Sequence, residues 1–374
     1  MEVGHHSVAA KSLMMFKIVD WYILRKFLGT FILVLVLIMS IAVVFDVSER
    51  IEDFVTKNAP FNEIVFNYYL NFVLYFGNLF SALIVFISTI LFTSQMANRT
   101  EIVAILTGGM SFRRMMWPYF IGALIISGGS YALNHYLIPQ TNEVRLDFDA
   151  KYIHTHQRTS YRNIHRQILP GEMVFMESFN VKRGTGYRFT YERFDDQVLK
   201  AKISGDFIRF DTVSQGWKLD NYVIRYIDDM GEERLERGKR LDTNFAFLPE
   251  DLAPGVFTTE TMTTPELKKL IEAERVRGGE TINTFLIDYY SRSSWPGATF
   301  VLVLIAVTLS SRKKRGGLGL NIALGLIICV VYIFFMQIST TFATSGNLEP
   351  WLAVWLPNFV FTGLAIYLYR IAPK

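Results

Sequence analysis

Long apolar runs lie in the first and last thirds of the chain, on either side of a polar middle segment. They cover residues 21–45, 64–96, 115–137, 295–309, 318–342 and 351–368. A helix of about 20 apolar residues crosses the hydrocarbon core of a bilayer. The pattern predicts six transmembrane helices, three before and three after the middle segment.

The middle segment has a different pattern. Short stretches rich in β-branched and aromatic residues, often alternating with polar ones, predict strands at 188–191, 199–203, 207–210 and 222–226. Turn residues separate them, among them Gly171, Gly184, Gly205 and Gly216. This spacing is typical of a sandwich or jelly roll. The predicted fold is an α-helical membrane protein with six transmembrane helices and an inserted, extracytoplasmic all-β jelly-roll domain.

These patterns divide the chain into five parts. We assign an N-terminal tail (1–16), helices 1–3 (17–138), a β domain (139–260), a connecting segment (261–294) with an amphipathic helix at 265–276, and helices 4–6 (295–374). Lysine and arginine concentrate on the cytoplasmic side of membrane proteins. Six spans place every basic cluster at a span end on one side, including Arg25, Arg99, Arg114, 312–315 and Arg370. We therefore expect cytoplasmic termini and an external β domain.

Residues 98–111, NRTEIVAILTGGMS, form a short motif between the second and third predicted spans. Asn98 and Glu101 have capping-box spacing, and Gly108 with Gly109 supplies a stop. Ile102, Val103, Ile105 and Leu106 provide an apolar face. The predicted helix is too short to cross a membrane, so we interpret it as a cytoplasmic coupling helix on which a soluble partner acts.

Composition agrees with a membrane protein. The chain is 51% hydrophobic and 19% charged, whereas soluble proteins average about 25% charged residues. The net charge of +4 does not indicate nucleic-acid binding, because the basic residues lie beside membrane segments as much as in the soluble part. The single cysteine, Cys329, lies in an apolar run, so no disulfide framework is expected.

The sequence contains no catalytic signature. It has no phosphate-binding loop, H-E-x-x-H, G-x-S-x-G or paired C-x-x-C motif. We therefore expect no catalytic residue, no ATP hydrolysis by this chain alone, and no cofactor. His154, His156 and His165 resemble a metal site in outline, but their polar, arginine-rich segment favours a solvated loop or strand.

Several polar residues lie within predicted spans, where lipid cannot satisfy their hydrogen bonds. They include Asn78, Asn134, His135, Gln337 and Asn358. Such residues face the interior of a helix bundle or a cavity. Hydrogen bonding between helices or headgroup contact is the favoured interpretation, and contact with a transported substrate is the alternative.

The order of these parts resembles the lipopolysaccharide-export permeases of the LptF/LptG (YjgP/YjgQ) family. Residues 94–96 and 100–111 are similar to the family's coupling segment. Asp20-Trp21-Tyr22-Ile23 resembles the start of its first span, and Leu356-Pro357-Asn358 resembles its last span. Gly216-Trp217-Lys218-Leu219 resembles a recurrent strand of its β domain. The likeness covers nearly the whole chain after about Lys17.

The resemblance implies an inner-membrane permease half that pairs with a homologous LptF/LptG half and with an LptB-like ABC ATPase dimer. The ATPase would use ATP and Mg²⁺, and the periplasmic β domain would pass lipopolysaccharide to LptC-like and LptA-like bridge proteins. Glu101 matches the family's acidic coupling residue. The implied ATPase-contact residues are Arg99, Glu101, Ile102, Ile105, Leu106 and Gly108.

One feature departs from the family pattern. Family members often have basic residues at the outer end of the first span, whereas Asp46, Glu49, Glu52 and Asp53 surround Arg50 here. Headgroup contacts would then come from Arg50, Lys57 or Arg145, from the other permease half, or through divalent cations. The candidate lipid-binding residues are Arg50, Lys57, Asn134, His135, Arg145 and Gln337.

Two other functions remain open from the sequence. An ABC-type mechanotransmission subunit would move the β domain to regulate an envelope process without transporting lipid. A receptor-like binding protein would have no ATPase partner, and this function would not explain the coupling helix. Six spans around a central β insert favour the exporter, because a lipid cavity needs several helices.

Overall fold

The computed structural model describes residues 18–153, 160–180, 183–195, 198–228, 232–252, 259–277, 281–312 and 317–372. The chain forms two compact units. One is helical and combines Met1–Arg145 with Ile287–Lys374, and the other, Leu146–Leu286, contains the sheet. The predicted combination of apolar helices with an inserted β domain is confirmed.

The last two long helices begin and end close to the predicted spans, whereas the first ends later and the helix at the fourth span begins earlier than predicted. In chain order they are α1 (Ile18–Thr56), α2 (Leu70–Leu79), α3 (Ser81–Asn98), α4 (Glu101–Thr107), α5 (Phe112–Ala132), α6 (Ile138–Tyr152), then after the sheet α7 (Pro249–Leu252), α8 (Thr264–Arg277), α9 (Ile282–Ser310), α10 (Gly317–Thr344) and α11 (Pro350–Ile371). A helical turn (Phe61–Glu63) and a π-helical segment (Ile64–Tyr69) precede α2, and a second π-helical segment (Leu133–Leu137) joins α5 to α6.

Five described helices are long and apolar enough to cross a membrane: α1, α3, α9, α10 and α11. The helix at the place of the third predicted span, α5, is not among them. Its residues Met115, Tyr119 and Ala123 are nevertheless buried in a core shared with Ile23 and Phe27 of α1. The count of six spans therefore remains a prediction in which α5 is the additional span.

The helices differ sharply in how much of their surface this chain covers. In the most apolar window of α3, 78% of residues are buried, whereas the share in α1 is 17%. The second predicted span, 64–96, is interrupted at Phe80, where α2 ends and α3 begins. The centre of the helical unit is thus α3, and α1 has a long apolar face that the described residues leave exposed.

Polar side chains join the helices at several points. Asn78 donates to the Asn134 amide oxygen at 2.8 Å. The Tyr332 hydroxyl donates to the Asn358 oxygen at 2.9 Å, and Asn358 in turn donates to the Ser294 hydroxyl at 2.8 Å. Asn358 therefore connects α9, α10 and α11. The favoured prediction of hydrogen bonds between helices is confirmed for Asn134 and Asn358.

The second unit is built on one antiparallel sheet of six strands. They are β1 (Ser160–Leu169), β2 (Glu172–Asn180), β3 (Thr185–Asp195), β4 (Val198–Asp211), β5 (Gly216–Ile227) and β6 (Glu233–Thr243). Each strand pairs with its sequence neighbours in the order β1 to β6. The described sheet is a meander, without the crossovers of a Greek-key jelly roll, because each hairpin returns the chain directly to the adjacent position.

A row of polar residues crosses the whole sheet at one register. The paired residues before and after each of these positions show that the six lie opposite one another on neighbouring strands. They are Asn163, Glu177, Arg188, Asp206, Asn221 and Lys239. All six are exposed. Arg188 pairs with Glu177 at 3.0 Å, and Asn221 donates to Asp206 at 3.1 Å. We call this set the polar row.

On β2, β3 and β4 the polar row changes which face of the strand is buried. A regular strand buries every second residue, but the buried positions on either side of the row are three apart, as in Met176 with Phe179 and Ile208 with Gly205. The backbone is left-handed on alternate strands, at Asn163 (φ 52°), Arg188 (φ 50°) and Asn221 (φ 52°). Irregularities of this kind bend a sheet and redirect its side chains.

Because the sheet bends at the polar row, buried residues from both sides of the row pack in one hydrophobic core. Met176, Phe179 and Ile208, from the two sides of the row, pack in one core with Trp217 and with Phe247 from the segment after β6. Gly205 was predicted to mark a turn, but it lies within β4, where a Cβ atom would be 2.5 Å from Leu219 Cδ1. Its lack of a side chain therefore permits close packing at the bend.

We expect substitutions of Arg188 to separate backbone strain from side-chain contacts. Arg188→Val should destabilise β3 by about 1–3 kcal/mol, because a β-branched residue is strongly disfavoured at positive φ. Arg188→Gly should lie within about 1 kcal/mol of the original protein, since it relieves strain while losing one exposed ion pair. Hydrogen exchange of β3 peptides measures the opening free energy. Equal changes in opening free energy for the two substitutions would contradict backbone strain at Arg188.

Candidate functional site

The predicted coupling helix is present, but it begins later than expected. Asn98 is the last residue of α3, and α4 starts at Glu101. The residue before α4 is Thr100, which has a left-handed backbone (φ 60°) and makes no side-chain cap bond. The prediction that Asn98 caps this helix is therefore wrong. The Thr100 amide donates to the Ala97 carbonyl at 3.1 Å. Asn98 therefore lies within the turn that ends α3.

The end of α4 is a Schellman motif. The Met110 amide donates to the Ile105 carbonyl at 3.3 Å, and the Gly109 amide donates to the Leu106 carbonyl at 3.1 Å. Gly109 has φ 86°, a value that glycine adopts without strain. Ser111 then begins α5 by accepting a hydrogen bond from the Arg114 amide. Residues 108–111 therefore set the direction in which the chain leaves α4.

The apolar residues of α4 are divided between the core and the surface. Ile102 is 2% exposed and packs in the core that holds Ile23 and Phe27, so it anchors α4 rather than facing a partner. Ile105 and Leu106 are partly buried against the same core, and Val103 is 57% exposed. Gly108 lies on the exposed side at the end of the helix. Ile102 is therefore buried within this chain and Val103 is exposed, and which residues of α4 contact a partner remains a prediction.

Glu101 lies at the start of α4 and is held by two neighbours. Its Oε2 atom accepts a hydrogen bond of 2.9 Å from the Tyr22 hydroxyl of α1. Its Oε1 atom lies 3.9 Å from Arg99 Nη1, and 69% of the Arg99 side chain is exposed. A carboxylate accepts several hydrogen bonds at once. The arrangement presents an oriented acidic group beside an exposed basic one.

Two candidate lipid-binding residues lie at the end of α1. Arg50 pairs with Asp46 at 2.9 Å and lies over the Tyr68 ring, and Asp46 also accepts from the Tyr69 hydroxyl at 3.1 Å. Lys57 is half-buried just beyond the helix, where its amide donates to the Asp53 carbonyl at 3.0 Å. Of the acidic residues predicted around Arg50, Asp46 thus forms an ion pair with it within the chain.

The other four candidates lie on three different segments, with Asn134 and His135 adjacent in the second π-helical segment. Arg145 is 9% exposed, bonds to Asn142 at 2.7 Å and lies 5.0 Å from the centre of the Tyr75 ring. Asn134 accepts from Asn78, and His135 packs on Tyr131 at 4.1 Å between ring centres. Gln337 is exposed on α10. A role for these residues in binding lipid remains a prediction.

Of the three histidines considered as a possible metal site, only His165 lies among the described residues. His165 lies on β1 and packs against the Phe175 ring with centres 4.5 Å apart, while His154 and His156 lie outside the described residues. Among the residues that the structure describes, no group of three potential metal ligands is found.

The sequence did not predict the ion pair between Asp20 and Arg114. It also did not predict the hydrogen bond of Tyr22 with Glu101, since Tyr22 was considered only as part of the motif at residues 20–23. Arg114 Nη2 lies 2.5 Å from Asp20 Oδ2, and Asp20 is fully buried. These residues are 94 positions apart in the chain, and Tyr22 is 79 positions from Glu101. The only local signal was an acidic residue beside an aromatic one at the start of an apolar run.

Several membrane-length helices and an inserted antiparallel sheet define a multi-pass membrane protein with a β domain. A family model, the lipopolysaccharide export system permease LptF/LptG, matches residues 21–371. The chain therefore belongs to the LptF/LptG family of multi-pass inner-membrane permeases, which are transport subunits rather than enzymes and serve lipopolysaccharide export. No curated protein matches the chain.

Proposed function

We propose that this permease is one half of an ATP-driven exporter that extracts lipopolysaccharide from the inner membrane. An LptB-like ATPase dimer binds the surface formed by Arg99, Glu101, Val103 and the exposed end of α4, and it uses ATP and Mg²⁺. A homologous half completes the lipid cavity, and the periplasmic β domain passes lipid to LptC-like and LptA-like bridge proteins. Both termini are cytoplasmic, with α5 as the sixth span.

The observation that carries this proposal is the anchored helix α4. A helix of seven residues is marginal in isolation, but Ile102 fixes it to the helical core and the Schellman motif closes its end. The exposed surface combines a carboxylate, a guanidinium and a valine side chain. Arginine in a partner groove binds such a carboxylate through charge-assisted hydrogen bonds.

For headgroup contact we favour residues whose polar side-chain groups a ligand can reach. About a fifth of the Arg50 side chain (22%) is exposed, so a lipid phosphate competes with Asp46 for it, directly or through a divalent cation. Gln337 is exposed on α10. Arg145 is nearly buried against aromatic rings, so its contribution requires a rearrangement or is indirect.

Glu101→Lys is expected to abolish capture of the ATPase. The substitution removes the acidic group and places a second positive charge beside Arg99. Losing one partner of an interfacial charge pair costs at least about 2 kcal/mol, or about 30-fold in affinity. Purification of the tagged chain from its native membrane in mild detergent, followed by mass spectrometry of proteins and lipids, measures the effect.

Glu49→Lys is the matched control, because it makes the same charge change at an exposed position of α1. It should retain the ATPase. Recovery of an ABC ATPase, a homologous permease and a lipid A-containing glycolipid with the original chain supports the exporter. An ATPase recovered without that lipid favours mechanotransmission, and normal ATPase capture by Glu101→Lys contradicts the proposed docking surface.

A further inference from the structure

Two side chains in the first turns of α1 hold opposite ends of the segment that contains the coupling helix. At one end, the Tyr22 hydroxyl donates to Glu101 Oε2 at 2.9 Å. At the other end, Arg114 in the first turn of α5 pairs with Asp20 at 2.5 Å. The contacts on α1 are two residues apart, whereas the groups they hold lie on different helices, α4 and α5.

The two contacts differ in strength. The Asp20 side chain is 1% exposed and that of Arg114 is 15% exposed, so solvent screens this ion pair only weakly. The Tyr22–Glu101 bond is more exposed, and Ile102 reinforces it by packing in the core with Ile23 and Phe27 of α1. Thus α1 is bound to α5 by the ion pair together with apolar packing, and to α4 by a hydrogen bond together with apolar packing.

The surroundings of α1 allow it to move more readily than α3. In their most apolar windows 17% of α1 residues are buried within this chain, compared with 78% for α3. A displacement of α3 would disturb packing along most of its length. A displacement of α1 would disturb the cluster of buried residues near its start, which includes Asp20, Ile23 and Phe27, and the fewer buried residues further along, Val34, Met39 and Phe54.

We propose that Asp20 and Tyr22 are positioning residues that make the first span the receiver of coupling-helix movement. This inference rests on the proposed function, since it requires an ATPase on α4. When the ATPase displaces α4 through Glu101, Tyr22 and the packing of Ile102 draw the start of α1 with it. The Asp20–Arg114 pair carries the same displacement into α5, so α1 and α5 move together.

The test uses the assembled exporter in proteoliposomes and compares ATPase capture, ATP hydrolysis and lipopolysaccharide released per ATP. Asp20→Asn should retain the captured ATPase but lower lipid release per ATP by about 10-fold, the size of a typical coupling between sites. Arg25→Gln, an exposed change in the next turn of α1, should leave all three measurements unchanged.

A second variant separates coupling from folding. With Cys329 replaced by serine, Asp20→Cys and Arg114→Cys introduce a pair of thiols that a short, reducible bifunctional methanethiosulfonate can bridge. The bridged protein should release lipid within about 3-fold of the original, and reduction of the same sample should lower release by about 10-fold. Because the polypeptide is identical before and after reduction, a folding defect cannot produce the difference.

Each outcome has a distinct meaning. Unchanged lipid release per ATP in Asp20→Asn, or equal release by the bridged and reduced forms, overturns the positioning role while leaving the ATPase docking surface intact. Failure of the original chain to capture any ATPase contradicts the proposed function itself. If Asp20→Asn does not assemble, the bridged and reduced forms alone decide the inference.

Discussion

Glu274→Ala is expected to lower the opening free energy of the β1–α8 contact by about 3–5 kcal/mol. Glu274 lies on α8 with its side chain 2% exposed, and it pairs with Arg166 of β1, whose side chain is 7% exposed. The Thr281 hydroxyl, just before α9, also donates to Glu274 at 2.9 Å. Removing the carboxylate leaves a buried guanidinium without its counter-ion, which costs more than the pair contributes when intact.

Hydrogen exchange of the full chain in detergent, read on peptides from β1 and α8, measures this opening directly. The paired substitution Arg166→Met with Glu274→Leu is the informative control. It removes both charges while keeping apolar volume, and such replacements of buried ion pairs are often neutral or stabilising. Faster exchange in the double variant than in Glu274→Ala would show that the contact is stabilised by the charges themselves.

The membrane helices could be predicted closely because their signal is strong and local. Helix α11 was predicted at 351–368 and spans Pro350–Ile371, and α10 was predicted at 318–342 and spans Gly317–Thr344. The sequence did not show that α1 continues to Thr56 through Asp46 and Arg50. Those charges end the apolar run, but an i,i+4 ion pair between them supports the helix beyond it.

The sequence predicted that the inserted domain is all-β, but it did not predict strands β1, β2 and β6. The charged strand β6, ERLERGKRLDT, lies at an edge of the sheet and is exposed along most of its length, so it lacks an apolar face. In β2 the buried positions Met176 and Phe179 are three apart, which breaks the expected alternation at the polar row. Periodicity within one strand cannot reveal a bend that only the cross-strand register makes visible.

The candidate site was predicted only in part, because local sequence signals locate a helix but do not show which helices it contacts. Short-range signals located α4, with Glu101 at its start and Gly109 at its end. The direction of each side chain depends on the neighbouring helices, so sequence spacing placed buried Ile102 and exposed Val103 on the same apolar face. Contacts of α4 and α5 with α1 join residues far apart in the chain, and no local pattern indicates them.

Trp217→Ala is expected to lower the opening free energy of the sheet by about 3–5 kcal/mol. Trp217 begins β5 and is 1% exposed, and its ring lies 5.0 Å from Phe247 and 5.1 Å from Phe210 between ring centres. Its indole N–H donates to the Phe247 carbonyl at 2.9 Å. The substitution therefore removes aromatic packing and a buried hydrogen bond, and it leaves a cavity beside the bend of the sheet.

Trp217→Phe separates these contributions. It keeps most of the apolar volume but leaves the Phe247 carbonyl without its donor, so we expect a loss of about 1–3 kcal/mol. The peptides to follow by hydrogen exchange are those of β4, β5 and the segment around Phe247, because Trp217 holds that segment against the sheet. If the alanine variant accelerated exchange only at β5, the two sides of the polar row would not share one cooperative core. Acceleration throughout these peptides would show that the bent meander unfolds as a single unit around Trp217.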